Sequence, residues 1–438
     1  MKLSKKLVNQ YNNPDSLLVI TSYPQAGQKY AQNQDAVASF AKNRIYALKS
    51  QITGKTIVLA DFDIKPSVSE EDNVLVIRCF KKDRPATLTH LLKNAGRFNL
   101  VKSILVEFEF AMFGGVRITA IMPLIFSLLR LMGKRVVIEL HQVLHDLSLL
   151  SGHIGQKKGS LKNRFFSAGL NAFYFALGLI ADELIVLEPA LKERLEKITG
   201  RNNVAVIPHG VDRLKSVSPS QARLELGIAA DQFAILSFGF ITWYKGSDFL
   251  VKTFANSKPL KNKDIMLILA GGPSFNQKNK AHYQNYYNRV TALAENQKHI
   301  RHTGFVAEAD LAKYFAAADL VVLPYRTFMS ASGPLSLALS FNKPFLLSNR
   351  LVSITKTADF QQAMRESKII PTEILFPLSQ NKLLTKIAKL RDDPSQLKKL
   401  ARLSAELADK RDFARLAKVQ AQLLQPRLNV SGKYLLQT

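Results

Sequence analysis

Two loops in the second half of the chain combine glycine with groups that can bind an anion. The first reads SFGFITWYKGSDFL, where a strand is predicted to end at Gly239 and a helix to open at Lys245 and Gly246. A helix N-terminus presents unpaired N–H groups and the positive end of its dipole. An ammonium group beside it suits a diphosphate. Taken alone, the loop is equally well explained as a glycine turn with a surface lysine.

The second loop lies inside the stretch LVVLPYRTFMSASGPLSLALSFNKPFLL, residues 320–347. Short apolar runs flanked by proline and glycine predict two buried parallel strands, and the helix predicted over 334–341 makes this a βαβ unit. Ser332 and Gly333 precede that helix, and their backbone amides can approach a phosphate closely. We therefore predict that this loop holds the diphosphate of a nucleotide-activated sugar.

Other residues at predicted strand ends are weaker candidates. Gly271, in LAGGPS, could pack against a base or ribose, although most such loops only turn the chain. His141 follows the strand RVVIEL at the edge where sheets of this type carry their sites. His145 and Asp146 lie one turn further on, but a third ligand with fixed spacing is lacking, so no metal site is expected.

Both halves of the chain alternate buried strands with helices, which indicates an α/β protein with two doubly wound, Rossmann-like domains. The polar segment 211–227 carries proline and serine and separates the two series. We expect an N-terminal domain over 1–212 and a C-terminal domain over 213–410. A helical tail over 411–438 could pack back on the N-terminal domain. The predicted strands are 16–22, 55–61, 73–80, 102–110, 135–140, 183–188, 204–210, 232–240, 264–272, 300–305, 320–325 and 343–347.

The chain has 438 residues and a net charge of +27. Such an excess implies an anionic partner, which could be nucleic acid, an acidic membrane surface or a phosphorylated substrate, although a solvated basic surface would also explain it. Nucleic acid is unlikely as a partner, because no aromatic and basic recognition motif accompanies the charge. The single cysteine, Cys79, excludes a disulfide framework and fits a reducing cytoplasm.

The segment 157–179 leads from several basic residues into an apolar, aromatic helix. It could lie in the headgroup layer of an anionic membrane, or it could simply cover one face of the first sheet. Two apolar stretches, 118–129 and 165–181, are short for membrane spans and are expected to be helices packed on a sheet. The sequence thus favours a cytoplasmic protein that could be peripheral on the inner face of the plasma membrane.

Six segments occur in an order and spacing that resemble the family 4 glycosyltransferases of the GT-B fold, which are retaining enzymes that use nucleotide sugars. Each segment alone is a weak signal, whereas six in order are specific for the fold. The segments are ADELIVLEPALKERL, VIPHGVD, FGFITWYKG, LILAGGP, HTGFVAEADLAKYFAAADLVVLPYR and SGPLSLALSFNKP.

The resemblance implies two domains that face each other across a cleft, with the donor on the second and the acceptor on the first. It places Gly239 and Lys245 on the phosphate-binding turn, the Ser332 and Gly333 amides at the diphosphate, Gly27 on a loop bordering donor and acceptor, and His141 near the transferred sugar. It implies a hexosyltransferase without cofactor or metal, in which the departing phosphate accepts the acceptor's proton. A lipid-linked or cell-envelope glycan is the acceptor that the resemblance favours.

The chain departs from the family pattern at the donor loop. Met329 and Leu337 stand where many members carry glutamates, and Ala331 stands where one branch has glutamine. An arginine that is common in the phosphate turn is also absent, so Arg326 could supply the missing charge. The alternative function is therefore a catalytically silent protein of the same fold that binds nucleotide sugar or acts as a scaffold at the membrane.

Overall fold

The computed structural model describes residues 3–25, 36–155, 159–257, 265–275 and 277–425. Its first sheet has eight strands in the order β3-β4-β2-β1-β5-β6-β7-β8, and all are parallel except β3, which is antiparallel to β4. Helices cover both faces of this sheet. The strands are β1 (Leu17–Ile20), β2 (Thr56–Asp61), β3 (Ser67–Glu71), β4 (Val74–Phe80), β5 (Ser103–Phe108), β6 (Arg135–Leu140), β7 (Glu183–Val186) and β8 (Ala205–Val206).

The second sheet has six parallel strands in the order β11-β10-β9-β12-β13-β14. Its central strands are buried along their whole length, which explains why their sequences are continuous apolar runs. The strands are β9 (Phe233–Phe238), β10 (Ile265–Ala270), β11 (Ile300–His302), β12 (Leu320–Leu323), β13 (Phe345–Ser348) and β14 (Leu375–Phe376).

Helices connect the strands, as parallel pairing requires. Helices of the first part are α1 (Lys5–Tyr11), α2 (Ala36–Lys49), α3 (Ala86–Gly96), α4 (Phe110–Phe113), α5 (Val116–Leu131), α6 (Ser151–Ile154), α7 (Leu161–Ile180) and α8 (Pro189–Thr199). Those that follow are α9 (Pro219–Glu225), α10 (Ser247–Ala255), α11 (Ala281–Glu295), α12 (Leu311–Ala317), α13 (Gly333–Ser340), α14 (Ala358–Ser367), α15 (Pro371–Ile374), α16 (Gln380–Arg391), α17 (Pro394–Lys410) and α18 (Phe413–Leu424).

The predicted fold class is confirmed, since both sheets are parallel-dominated and doubly wound. The predicted strands differ in places from the observed ones. The strand expected over 204–210 pairs only at Ala205 and Val206, because the chain then leaves the sheet for the second domain. The edge strand β3 was missed, since its sequence SVSEE is polar and largely exposed. The exact domain limits at 212 and 410 stay predictions.

The chain returns to the first sheet after the second is complete. Helix α18 packs on α2, β5 and β6, and the Ser103 hydroxyl donates to the Leu424 carbonyl at 2.7 Å. Apolar side chains of α18, such as Leu416 and Leu424, join a buried cluster with residues of the first sheet. Part of the predicted tail therefore lies on the N-terminal sheet.

The chain passes from the first domain to the second near Val211 and returns near Arg411. These two connecting segments lie side by side, and Arg411 is buried. The Val211 N–H donates to the Arg411 carbonyl at 2.8 Å. The Arg411 guanidinium lies 2.6 Å from Asp359 on α14 and 3.8 Å from Glu188, which follows β7. One cation is thus shared by two carboxyl groups from different domains. Burial raises the pKa of Glu188 to about 7, against the opposing effect of Arg411, while Asp359 adds to the rise.

Replacing Glu188 by glutamine should remove the cost of ionising a buried carboxyl group. The folded-state pKa lies above the usual 4.5, so protonated Glu188 contributes stability at low pH that is lost as the pH rises through about 7. We expect Glu188→Gln to melt about 2–4 °C above the unmodified protein at pH 8 and by a smaller margin at pH 5, measured by calorimetry. Asp359→Asn, which loses the closer partner of Arg411, should melt lower at both. If the melting temperature of Glu188→Gln exceeded that of the unmodified protein by the same amount at pH 5 and pH 8, this account would be contradicted.

Candidate functional site

The Lys245 ammonium lies at the carboxyl edge of the second sheet, between the turn after β9 and the start of α13. A Cβ atom built on Gly239 would lie 2.8 Å from Lys245 Nζ and 3.1 Å from Pro334 Cγ. Gly239 also has a φ of 108°, a conformation that favours glycine. The predicted phosphate turn and the predicted diphosphate loop therefore come together at one cation.

The charge of Lys245 has no counter-ion among the residues that the structure describes. Its nearest recorded partner is the ring of Phe240, whose centroid lies 6.0 Å from Nζ. Desolvation lowers the pKa of this lysine to about 8, and no carboxylate opposes that shift. An ammonium group held in this way gains free energy from an anion that approaches it.

The start of α13 supplies backbone donors beside this cation. Ser332 is the N-cap, and its side-chain oxygen accepts from the Leu335 N–H at 3.2 Å. The Tyr325 hydroxyl lies 2.9 Å from the same oxygen, so the Ser332 side chain positions the loop. A Cβ atom on Gly333 would meet nothing within 4 Å, which leaves open space in front of the helix start. Open space at Gly333 thus lies near the Lys245 ammonium and a helix start, an arrangement that suits an anion.

Gly271 has a packing role in the second sheet. A Cβ atom at this position would collide with the Gly239 carbonyl, so the loops after β9 and β10 can approach this closely only because residue 271 is glycine. The Gly271 carbonyl also lies 3.1 Å from His302 Nε2. Its contact with a base or ribose stays a prediction.

Arg326 is engaged in a bidentate ion pair. Its guanidinium donates to Asp248 at 2.5 and 2.7 Å and to the Trp243 carbonyl at 2.8 Å, and it lies 5.2 Å from the Trp243 ring centroid. These contacts direct the guanidinium toward Asp248 and Trp243, and the contact of Arg326 with a phosphate stays a prediction. The pair lowers the pKa of Asp248 despite burial and keeps that carboxylate from neutralising Lys245.

Gly27 lies outside the described residues. The chain just before it, Tyr23 and Pro24, is held by Arg78, whose guanidinium donates to both carbonyls and to that of Asp61. The entry to this loop is therefore anchored to β2 and β4.

His141 lies at the carboxyl end of β6 and is buried. Its Nε2 atom lies 3.2 Å from Glu107 Oε2, and its ring meets that of Phe40 edge-on at 4.9 Å. Phe40 also contacts the ring of His209 at 4.7 Å, and His209 Nδ1 lies 2.9 Å from the Ser336 hydroxyl on α13. The predicted sugar-binding histidine thus connects to the helix that starts at the diphosphate loop.

Three further contacts join the two domains along this line. Gln142 forms a β-bridge with Ser330, and Arg194 donates to the Phe328 carbonyl at 3.1 Å. Gly152 lies against the Trp243 ring, where a Cβ atom would collide. The loop 326–333 is therefore held between the domains, and His141 lies on the opposite side of the domain boundary.

Glu107, Glu139 and His141 bring one potential ligand atom each within 4.8 Å of one another. The absence of a metal at His141 was predicted from sequence spacing, which could not detect this cluster. Arg44 and Gln420 donate to Glu139 Oε2 at 2.8 and 2.7 Å. With a cation already bonded to one carboxylate and the histidine bonded to the other, the group is best described as a buried charge network.

Sequence reasoning missed the partners of His141. Glu107 and Glu139 each follow a run of three apolar residues in their strands, SILVEF and RVVIEL, and this contrast was the available signal. Arg44 and Gln420 lie on helices far apart in the chain, so their meeting depended on α18 folding back.

The second domain is similar in sequence to known proteins. Residues 220–358 match the family model of the glycosyl transferases group 1. The D-inositol 3-phosphate glycosyltransferase of Kineococcus radiotolerans is 31% identical over 153 residues, covering 33% of this chain and 34% of that protein. The alignment therefore spans about a third of this relative.

Solved structures resemble the whole chain. Sucrose-phosphate synthase from Thermosynechococcus elongatus has a TM-score of 0.69 at 16% identity, covering 93% of this chain and 98% of that one. Anabaena HepE in complex with UDP-glucose has a TM-score of 0.63 at 17% identity, with coverage of 93% and 98%. WaaG, a glycosyltransferase involved in lipopolysaccharide biosynthesis, has a TM-score of 0.60 at 14% identity, with coverage of 93% and 99%. The fold is therefore GT-B.

Replacing Lys245 by methionine should separate stability from anion binding. The variant keeps the side-chain volume and removes a charge that lacks a counter-ion, so we expect an unchanged or higher melting temperature. Affinity for UDP should fall about 10- to 100-fold, the effect of one charge-assisted contact, as measured by calorimetric titration.

Lys252→Met is the matched control for this change, because Lys252 is exposed on the adjacent helix α10. It should bind UDP as the unmodified protein does. Equal UDP affinities for the unmodified protein, Lys245→Met and Lys252→Met would contradict a role for Lys245 in anion binding.

Proposed function

We propose that this protein is a retaining glycosyltransferase that moves a sugar from a nucleotide-diphosphate donor to an acceptor, without a metal cofactor. The observation that carries the proposal is the Lys245 ammonium, which lies without a counter-ion beside the start of α13. The matching group 1 domain and the GT-B fold support it, as does the UDP-glucose bound by a protein of the same architecture.

In this proposal the donor diphosphate lies against the amides near Ser332 and Gly333 and against Lys245. Charge that develops on the departing diphosphate is stabilised by donors already in place, which is the role that a cation would otherwise take. The bond from the sugar's anomeric carbon to the phosphate oxygen breaks while the acceptor oxygen bonds to the same face. The departing phosphate takes the acceptor's proton, so no dedicated protein base is required.

The first domain would hold the acceptor and the transferred sugar. His141 would contact the sugar from the opposite side of the domain boundary, since the line through Phe40 and His209 connects it to Ser336 on α13. Gly27 would border donor and acceptor in the loop that follows Pro24. The acceptor would be a lipid-linked or cell-envelope glycan.

A membrane position for this enzyme rests on one surface of the first domain. Helices α5 and α7 pack together and leave large apolar side chains in solvent, including Leu124 at 58%, Phe165 at 77% and Leu179 at 66% exposure. Exposed Lys162 and Arg164 lie at the start of α7. No helix among the described residues has the length and hydropathy to cross a bilayer. We propose that this face lies on the anionic inner surface of the plasma membrane.

A donor panel tests the enzyme assignment. UDP-, GDP- and ADP-linked sugars should raise the melting temperature selectively, because a ligand of the folded state stabilises it in proportion to occupancy. The stabilising donor should also release its nucleotide in the presence of a lipid-linked glycan acceptor, and EDTA should not reduce the rate. Stabilisation without any release over the acceptor panel would favour the silent nucleotide-sugar binder.

Sedimentation with vesicles tests the membrane position. Vesicles of phosphatidylglycerol and phosphatidylcholine should bind the protein, and Phe165→Ser with Leu179→Ser should weaken binding at least about tenfold, since each change removes buried apolar area. Leu224→Ser is the control, because Leu224 is 75% exposed on α9 of the second domain. An equal loss with the control, or no binding by the unmodified protein, would contradict the proposal.

A further inference from the structure

Two glutamates lie side by side at the carboxyl edge of the first sheet. Glu107 on β5 and Glu139 on β6 are register partners, and each is fully buried. Two adjacent carboxylates cannot both remain ionised in a buried position without compensation. Their partners differ, and that difference assigns them different roles.

Glu139 is compensated by groups from two distant helices. Arg44 of α2 donates to its Oε2 atom at 2.8 Å, and Gln420 of α18 donates to the same atom at 2.7 Å. Arg44 is itself fully buried, and its guanidinium lies 4.7 Å from the ring centroid of Phe40. Burial raises the pKa of Glu139 to about 7, and Arg44, which has no recorded contact with Glu107 in the described part of the chain, opposes that rise.

Glu107 has only the imidazole of His141 as a recorded hydrogen-bond partner among the described residues. Glu107 Oε2 lies 3.2 Å from His141 Nε2, and Glu107 Oε1 is buried without a partner. Within the same described ranges, His141 Nδ1 has no recorded partner. The ring therefore presents one nitrogen to a carboxylate and leaves the other for a ligand.

We propose that Glu107 is a positioning residue, which holds His141 as an imidazolium whose Nδ1–H donates to an oxygen of the donor sugar. This inference rests on the proposed function for its substrate. The orientation follows from the geometry, because the carboxylate fixes Nε2–H and the edge-on contact with Phe40 fixes the ring plane.

Other charged and titratable groups around His141 also favour its imidazolium form. Desolvation lowers its pKa, but the hydrogen bond and charge of Glu107, followed by the charges of Glu139 and Glu109, outweigh burial and raise it. Arg44 faces Glu139, and His209 on the far side of Phe40 is neutral, because burial lowers its pKa to about 3. The imidazolium form is thus present below its raised pKa and is lost as the pH rises through it.

Histidine-labelled NMR of the full-length chain tests the charge state directly. The chain has 8 histidines, and the His141 signal is the one that disappears in His141→Gln. In Glu107→Gln, which keeps an acceptor oxygen but removes the charge, the His141 titration should move to lower pH. Glu183→Gln is the matched control, since Glu183 is a buried glutamate of the neighbouring strand β7 whose partner is Arg135. An unmoved His141 titration in Glu107→Gln would overturn the proposal.

The second measurement follows nucleotide release from UDP-glucose, or from the sugar nucleotide that the donor panel selects, between pH 6 and 8.5. At pH 7.5 Glu107→Gln should be at least about tenfold slower, as for loss of one preorganised donor, with a smaller deficit at pH 6 and unchanged affinity for UDP. A rate deficit that is equal at all pH values would mean a merely structural role and would overturn the proposal. If no sugar nucleotide is turned over, the enzyme assignment fails, while the NMR titration still decides the role of Glu107.

Discussion

The second domain depends on keeping one ammonium group close to a helix start without neutralising it. Asp248 lies only three residues after Lys245 and could have paired with it, but Arg326 binds both oxygens of that carboxylate. Gly239 leaves the space that the Lys245 ammonium occupies, and Ser332 caps the helix that faces it. The ion pair, the glycine and the cap thus leave a positive charge beside the start of α13.

The two sheets bring different groups to the domain boundary. The second presents Lys245 beside a helix N-terminus, whereas the first buries Glu107 and Glu139 at the ends of β5 and β6. These carboxyl groups have hydrogen-bonding partners in His141 and Arg44, whereas the Lys245 ammonium has no counter-ion in the described part of the chain.

The fold and the turns at the strand ends could be predicted because their signals are local. Continuous apolar runs identify buried parallel strands, and glycine followed by a helix start identifies the turns at Gly239 and Gly333. The ion pair of Arg326 with Asp248 could not be predicted, because it joins residues 78 positions apart in the chain. The network around His141 could not be predicted for the same reason, since Gln420 and Glu139 are 281 residues apart in the chain. Sequence spacing predicts where strands end, but it does not predict which side chains form hydrogen bonds or ion pairs with one another.

The return of the chain to the first sheet explains why the His141 network can be buried at all. An arginine and two glutamates in a sheet interior need polar partners on every side, and the helices between the strands of one domain cannot provide them all. Helix α18 arrives after the second domain is complete, covers the apolar face of β5 and β6, and brings Gln420 to Glu139. Its path passes through Arg411, which bonds Asp359 of the second domain and lies beside Glu188 of the first. The His141 network of the first domain therefore includes a side chain that follows the second domain in the chain, and the buried Arg411 lies on the path between them.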